Sequence, residues 1–251
     1  DDGLNRFDGQ KFSVYRHKGD DSTSIASNEI LATYEDRSRN LWIGTGSGLV
    51  LYNRKMDSFK NYRETKNMAI TSISSDGNED IWVAGYGGLY VLSSRTGFMA
   101  PINFKRREDR EAIRSQPIMN MFRDRHNRMW LGTRRGLYLY QPREGVLVRF
   151  LHSDESSSLS GNSVSAISED AKGNIWVGTD NGLSVLKING KEFVNYRHAP
   201  LNKNSLSSNI VYTIAPERDG KLWIGTENGL NILDPANGSV SRVEHDGRSR
   251  F

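Results

Sequence analysis

One motif occurs five times in this chain, and it limits the folds available more than any other feature. The stretches "LWIGTGSGL", "IWVAGYGGL", "MWLGTRRGL", "IWVGTDNGL" and "LWIGTENGL" end at Leu49, Leu89, Leu137, Leu183 and Leu230. All five tryptophans sit in these copies, at Trp42, Trp82, Trp130, Trp176 and Trp223, with separations of 40, 48, 46 and 47 residues. Self-similarity at such a period marks a repeat architecture, which has to be recognised before any single loop is read as a site. A loop used five times is scaffold first.

Aligned on tryptophan, the copies define one supersecondary unit. Six residues before each Trp stands an acid: Asp36, Asp76, Asp124, Asp170 and Glu217. Turn signals follow it, clearest in "DAKGN" (170–174) and "RDGK" (218–221), where glycine supplies positive φ. Twelve before Trp the residue is always Ile or Val (Ile30, Ile70, Ile118, Val164, Val211). Ten before, it is small or polar (Ala32, Ser72, Asn120, Ala166, Thr213), which suits an innermost strand crowded near an axis. After Trp come Gly-Thr, two variable residues and a Gly in register, a hairpin signature. Strand-like runs such as "LSVLKI" (183–188) and "KEFVNYRH" (191–198) complete the unit. Each repeat is therefore predicted to be a four-stranded antiparallel meander, the size of one β-propeller blade.

The prediction is an all-β β-propeller domain over 1–251, with a half blade at 1–20 and blades at 27–65, 67–104, 115–152, 161–198 and 207–245. The half blade rests on "DDGLNRFDGQKFSVYRH" (1–17), which aligns with the third and fourth strands at 180–198. Nothing after the fifth blade supplies the other two strands. The expectation is a segment of a larger, seven-bladed propeller, with the native termini, any leader and any membrane span outside this chain.

Composition narrows the chemistry. The 251 residues contain no cysteine, which removes thiolate metal sites, disulfides and a cysteine nucleophile. Frequent glycine (24) against rare proline (6) fits many short strands joined by tight turns. The net charge of +4 is too mild to argue for nucleic acid, and no direct nucleic-acid binding is expected. No apolar run approaches the roughly 20 residues a membrane helix needs.

The pattern from Glu169 to Leu183, together with the links "SSLSGNSV" (157–164), "NSLSSNIV" (204–211) and "TSIASNEI" (23–30), resembles the two-component regulator propeller repeat. The resemblance implies the periplasmic sensor region of a hybrid two-component histidine kinase of the Bacteroidetes type. Such regions commonly respond to oligosaccharides from complex glycans, and the signal crosses the membrane to regulate transcription. The second blade departs from the pattern with Ala84-Gly85 in place of Gly-Thr, and the second and third blades lack the Ser-Leu-Ser link.

Catalytic readings are weaker than scaffold ones. His17, His152, His198 and His245 recur at the end of the fourth strand, and His126 falls in a turn, so none suggests a metal site. The recurring acids are expected to accept hydrogen bonds from turn N–H groups rather than to act as a glycosidase pair. "GTGSG" (44–48) lacks the following Lys-Ser/Thr and helix of a phosphate loop. The tryptophans are expected to pack between blades. No cofactor or metal is expected.

The variable pairs between the second and third strands share a rim with the inter-blade links and with "NFKRREDREAIRSQ" (103–116), read as a charged solvated link. Ligand contacts are expected there, on the second and third blades, from Tyr86, Arg106, Arg107, Arg110, Arg134 and Arg135. These favour a polar ligand, an oligosaccharide and by charge an acidic glycan. The competing reading has the 106–110 arginines neutralising Glu108, Asp109 and Glu111. Further expected partners are the remainder of the receptor chain and a second copy in a homodimer. A propeller lyase or carbohydrate-active enzyme, and a protein–protein scaffold, are the alternatives.

Overall fold

The computed structural model describes residues 2–76, 78–142, 144–188 and 190–243. A two-stranded ribbon comes first, β1 (Leu4–Phe7) and β2 (Phe12–Tyr15). Five four-stranded sheets follow. The first is β3 (Ile30–Glu35), β4 (Leu41–Thr45), β5 (Gly48–Asn53) and β6 (Ser58–Asn61). The second is β7 (Ile70–Ser75), β8 (Ile81–Gly85), β9 (Gly88–Leu92) and β10 (Met99–Pro101). The third is β11 (Ile118–Arg123), β12 (Met129–Thr133), β13 (Gly136–Gln141) and β14 (Val146–Phe150). The fourth is β15 (Val164–Glu169), β16 (Ile175–Thr179), β17 (Gly182–Leu186) and β18 (Phe193–Tyr196). The fifth is β19 (Val211–Pro216), β20 (Leu222–Thr226), β21 (Gly229–Asp234) and β22 (Ser239–Arg242).

Neighbours in each sheet are neighbours in the chain, as the meander predicts, and the sheets are propeller blades. The final positions assigned to the fifth blade, Glu244 and His245, lie outside the described residues. The second-to-third-strand turns have two residues, with Thr179 paired to Gly182 in the fourth blade. Gly182 has φ 125, and a Cβ there would meet Tyr196 O at 2.7 Å, so a side chain is excluded twice over.

The stretch read as an irregular charged link is in fact an α-helix, α1 (Arg107–Arg114). Its eight residues make slightly more than two turns. The segment is rich in helix formers, and Arg107 meets Glu111 one turn on at 2.7 Å. Burial of Ile113 and Asp109 fixes which face turns inward.

Contacts divide the chain into two compact units, 1–123 with 142–146, and 124–141 with 147–251. In the first unit Trp42 packs with Ile70, Ile73 and Ile81 of the following blade. In the second unit Trp176 packs with Leu206 of the link and with Val211 and Leu222 of the following blade. The glycine two residues after Trp lets the next blade come close. A Cβ on Gly44 would lie 2.6 Å from Ile70 O, and one on Gly178 would lie 2.7 Å from Val211 Cγ1. The Ile/Val at minus twelve and the Gly at plus two are thus the two halves of one blade-to-blade contact. Hydroxyls on the first strands add polar ties, with Thr71 Oγ1 donating to Ile118 O (2.5 Å) and Ser165 Oγ donating to Val211 O.

Candidate functional site

The recurring side chains are used within the scaffold. Asp170 Oδ1 accepts the N–H groups of Lys172 (2.9 Å) and Asn174 (3.0 Å), as expected of a turn acid. Its Oδ2 accepts the Asn174 amide (2.7 Å) and the Trp176 indole N–H (2.9 Å), a contact the spacing of six had not revealed. The same carboxylate–indole bond recurs at Asp36–Trp42 (2.8 Å), Asp76–Trp82 (3.2 Å), Asp124–Trp130 (2.9 Å) and Glu217–Trp223 (2.8 Å). Burial pushes the Asp170 pKa up, but the indole, the Asn174 amide and the backbone donors outweigh it and hold it below the ordinary value. Asp36 is held low in the same way. A carboxylate so occupied is poorly placed to shuttle protons.

The histidines anchor the links. Nδ1 of His17, His152 and His198 lies 2.8, 2.7 and 2.7 Å from the carbonyls of Ile25, Leu159 and Leu206. Their backbone N–H groups donate to Asn28, Asn162 and Asn209. Ile25, Leu159 and Leu206 are fully buried, so the link is a plug between blades. His126 stands in its turn with its N–H on Asp124, and His245 lies outside the described residues.

What remains is where the repeat breaks. In the first unit the turn carrying Tyr86, the strand β9, the chain after β10 and helix α1 enclose a cavity of about 260 Å³. Gly87, Tyr90, Asn103, Arg110 and Arg114 line it. Arg110 is tethered loosely, with Nη2 3.5 Å from Asn103 Oδ1 and 3.4 Å from Phe104 O. Tyr86, half exposed at 51%, stands beside the lining residue Gly87.

Arg106 and Arg107 have other work. Arg106 grips the buried Asp109 through two bonds of 2.7 and 2.9 Å, and Arg107 pairs with Glu111. For these two the neutralising reading is the one seen, because the helix brings their acids within one turn. Arg114 was not singled out in the sequence; its spacing of four from Arg110 places both on one helical face once the stretch is known to be helical. In the second unit Arg134 and Arg135 are exposed on the turn between β12 and β13, with Arg135 N–H held by Thr133 Oγ1 at 3.0 Å.

The comparisons with known proteins agree with this reading of the repeats. The description "Two component regulator propeller" matches residues 24–47, 112–135, 158–181 and 205–228. The second blade, with its Ala84-Gly85, lies outside these stretches. The extracellular domain of a hybrid two-component system from B. thetaiotaomicron is 28% identical with a TM-score of 0.76, over 99% of this chain and 33% of that one. This chain thus spans about a third of that ectodomain. PorZ, a surface component of the type-IX secretion system of Porphyromonas gingivalis, is 21% identical with a TM-score of 0.71, over 94% of this chain and 36% of that one. A catalytically inactive virginiamycin B lyase from Staphylococcus aureus is 12% identical with a TM-score of 0.67, over 98% of this chain and 78% of that one. These last two likenesses show the fold alone. No curated protein matches the sequence. With its tryptophan register and carboxylate–indole turns, the chain is a β-propeller, and four stretches of it match the two-component regulator propeller repeat.

Proposed function

We propose that this chain is a non-catalytic, extracytoplasmic sensing segment of a hybrid two-component histidine kinase, and that it detects an oligosaccharide. The observation that carries the reading is the near-complete coverage of this chain by a sensor ectodomain at 28% identity, joined to the repeat matches. Its partners would be the glycan, the rest of its own receptor and, in a dimer, a second copy. The non-catalytic reading is supported by the turn carboxylates, whose oxygens face indole and backbone donors.

For the ligand we favour the rim of the second blade. Tyr86 offers an aromatic face to a sugar ring, Tyr90 and Asn103 line the cavity, and Arg110 and Arg114 supply charged donors. Arg134 and Arg135, exposed on the corresponding turn of the third blade, carry the same expectation. Binding would signal only through different affinity for two arrangements of the receptor.

The test is calorimetry with a panel of neutral and acidic oligosaccharides. Arg110→Ala with Arg114→Ala should weaken the glycan that binds by about tenfold or more, the scale of one charged hydrogen bond. Unchanged affinity at unchanged melting temperature would move the site, and turnover of the bound glycan would overturn the non-catalytic reading.

A further inference from the structure

The first blade holds a second groove, of about 460 Å³, walled by the loop after β2, the turn at Ser47 and Gly48, and the 3₁₀ turn Arg63–Thr65. Four basic side chains line it: His17, Lys18, Arg63 and Lys66. One carboxylate, Asp21, faces them, and its Oδ1 already accepts Thr23 N–H (2.9 Å) and Thr23 Oγ1 (2.6 Å). Among the described residues the charged ends of Lys18, Arg63 and Lys66 make no ion pair or hydrogen bond.

The repeat explains why this groove is open. In the fourth blade Arg197 occupies the register of Arg63, and its guanidinium lies against Asn181 O (3.2 Å) and Ser160 O (3.3 Å). That arginine is held against the turn and the link of its own blade. In the first blade the counterpart of the Asn181 carbonyl, Ser47 O, is taken by the N–H of Asn67 at 3.1 Å. Asn67 follows the 3₁₀ turn Arg63–Thr65 and is itself in the left-handed region, with φ 64. In the first blade Asn67, rather than Arg63, bonds the turn carbonyl, and Arg63 lines the groove with Lys18 and Lys66.

Like charges gathered on a concave wall repel one another, and an anion placed between them relieves that repulsion. We propose that this groove binds an oxyanion-bearing ligand, with Arg63 giving paired hydrogen bonds to the carboxylate, sulfate or phosphate and Lys18 and Lys66 acting as point charges. No residue is shared with the cavity on the second blade, so either proposal can fail without the other.

The probes are glucose, glucuronate, glucose 6-sulfate and inorganic sulfate, titrated into the full chain at low salt and followed by amide chemical shifts. The two charged sugars should bind at least tenfold more tightly than glucose, and added salt should weaken them. Arg63→Gln with Lys66→Gln should weaken them at least tenfold, while Arg110→Gln with Arg114→Gln should leave them unchanged. The exposed Lys18→Gln alone should give a smaller loss, which keeps the test valid if the double variant melts early. Sulfate binding as tightly as glucose 6-sulfate would make the free anion the source and leave the site standing. Equal binding of glucose and the charged sugars, or full binding by the Arg63 and Lys66 variant, would overturn the proposal.

Discussion

The fourth and second blades share one strand order and differ in what their rims leave free. In the fourth, Thr179 Oγ1 donates to Gly182 O at 2.9 Å and accepts Asn181 N–H at 3.1 Å. Ser184 Oγ accepts Ser160 N–H at 2.9 Å and donates to Asn195 Oδ1 at 2.7 Å, and Arg197 donates to Asn181 O at 3.2 Å. The polar groups that the repeat places there bond to one another. In the second blade Ala84-Gly85 removes the threonine hydroxyl, and the link after the blade carries helix α1 where the link after the fourth carries Ser205-Leu206-Ser207. Tyr86, Arg110 and Arg114 then face solvent or a cavity. A repeat of this kind satisfies itself, so groups available to a ligand arise where it is interrupted.

The largest effect that could break this contrast lies at Gly85. A Cβ there would stand 1.9 Å from Ala69 O, a backbone atom that cannot turn away. Gly85→Ala should destabilise the chain by about 3 kcal/mol, the upper part of the range for overpacking. Removing the threonine methyl and hydroxyl at the matching place, Thr179→Ala, should cost about 2 kcal/mol, since its buried hydroxyl makes at least two hydrogen bonds. Denaturant midpoints compare the two; similar costs would mean that the second blade follows the same packing rule as the fourth.

Next come the turn acids. Asp170 is buried and accepts four donors at 2.7–3.0 Å, whereas Asp76 is only partly buried and accepts Asn78 N–H, Asp80 N–H and the Trp82 indole at 2.8, 3.1 and 3.2 Å. Asp170→Ala should cost about 3 kcal/mol, since buried donors lose a charged acceptor, and Asp76→Ala about half that. Equal losses in thermal unfolding would show the two turns to be equivalent.

The pH response sharpens the same point. The folded-state pKa of Asp170 lies below its ordinary value, so its contribution is fully present above about pH 4 and is lost as pH falls through the folded pKa. Wild-type stability should therefore drop more steeply below about pH 4 than that of Asp170→Asn, read from urea midpoints across the acid range. Parallel curves would remove the charge from the account of the fourth blade.

The smallest effect belongs to the helix surface. Arg107 and Glu111 are exposed at 88% and 61%, so Arg107→Ala should change stability by no more than about 0.5 kcal/mol. It should also leave glycan affinity unchanged, in contrast to Arg110 and Arg114. A clear loss of affinity would restore Arg107 to the site.

The sequence by itself determined the blades. Trp176, the acid six residues before it and the Gly-Thr after it act across one turn or one hairpin, so their spacing is their geometry; the acid and tryptophan recur five times and the Gly-Thr four. The half blade and the in-register glycines were legible for the same reason. The tertiary structure decided the fate of the charges. "RREDREAIR" reads in the sequence as a solvated link, but once Ile113 and Asp109 are buried on a helix, Arg106 and Arg107 acquire acids while Arg110 and Arg114 turn to a cavity. Arg63 and Arg197 stand at one register of the repeat, yet Arg197 bonds the turn carbonyl of its blade, whereas in the first blade Asn67, four residues beyond Arg63, bonds it. Long charged side chains reach several partners at similar cost, so distances between elements, rather than positions along the chain, choose among them.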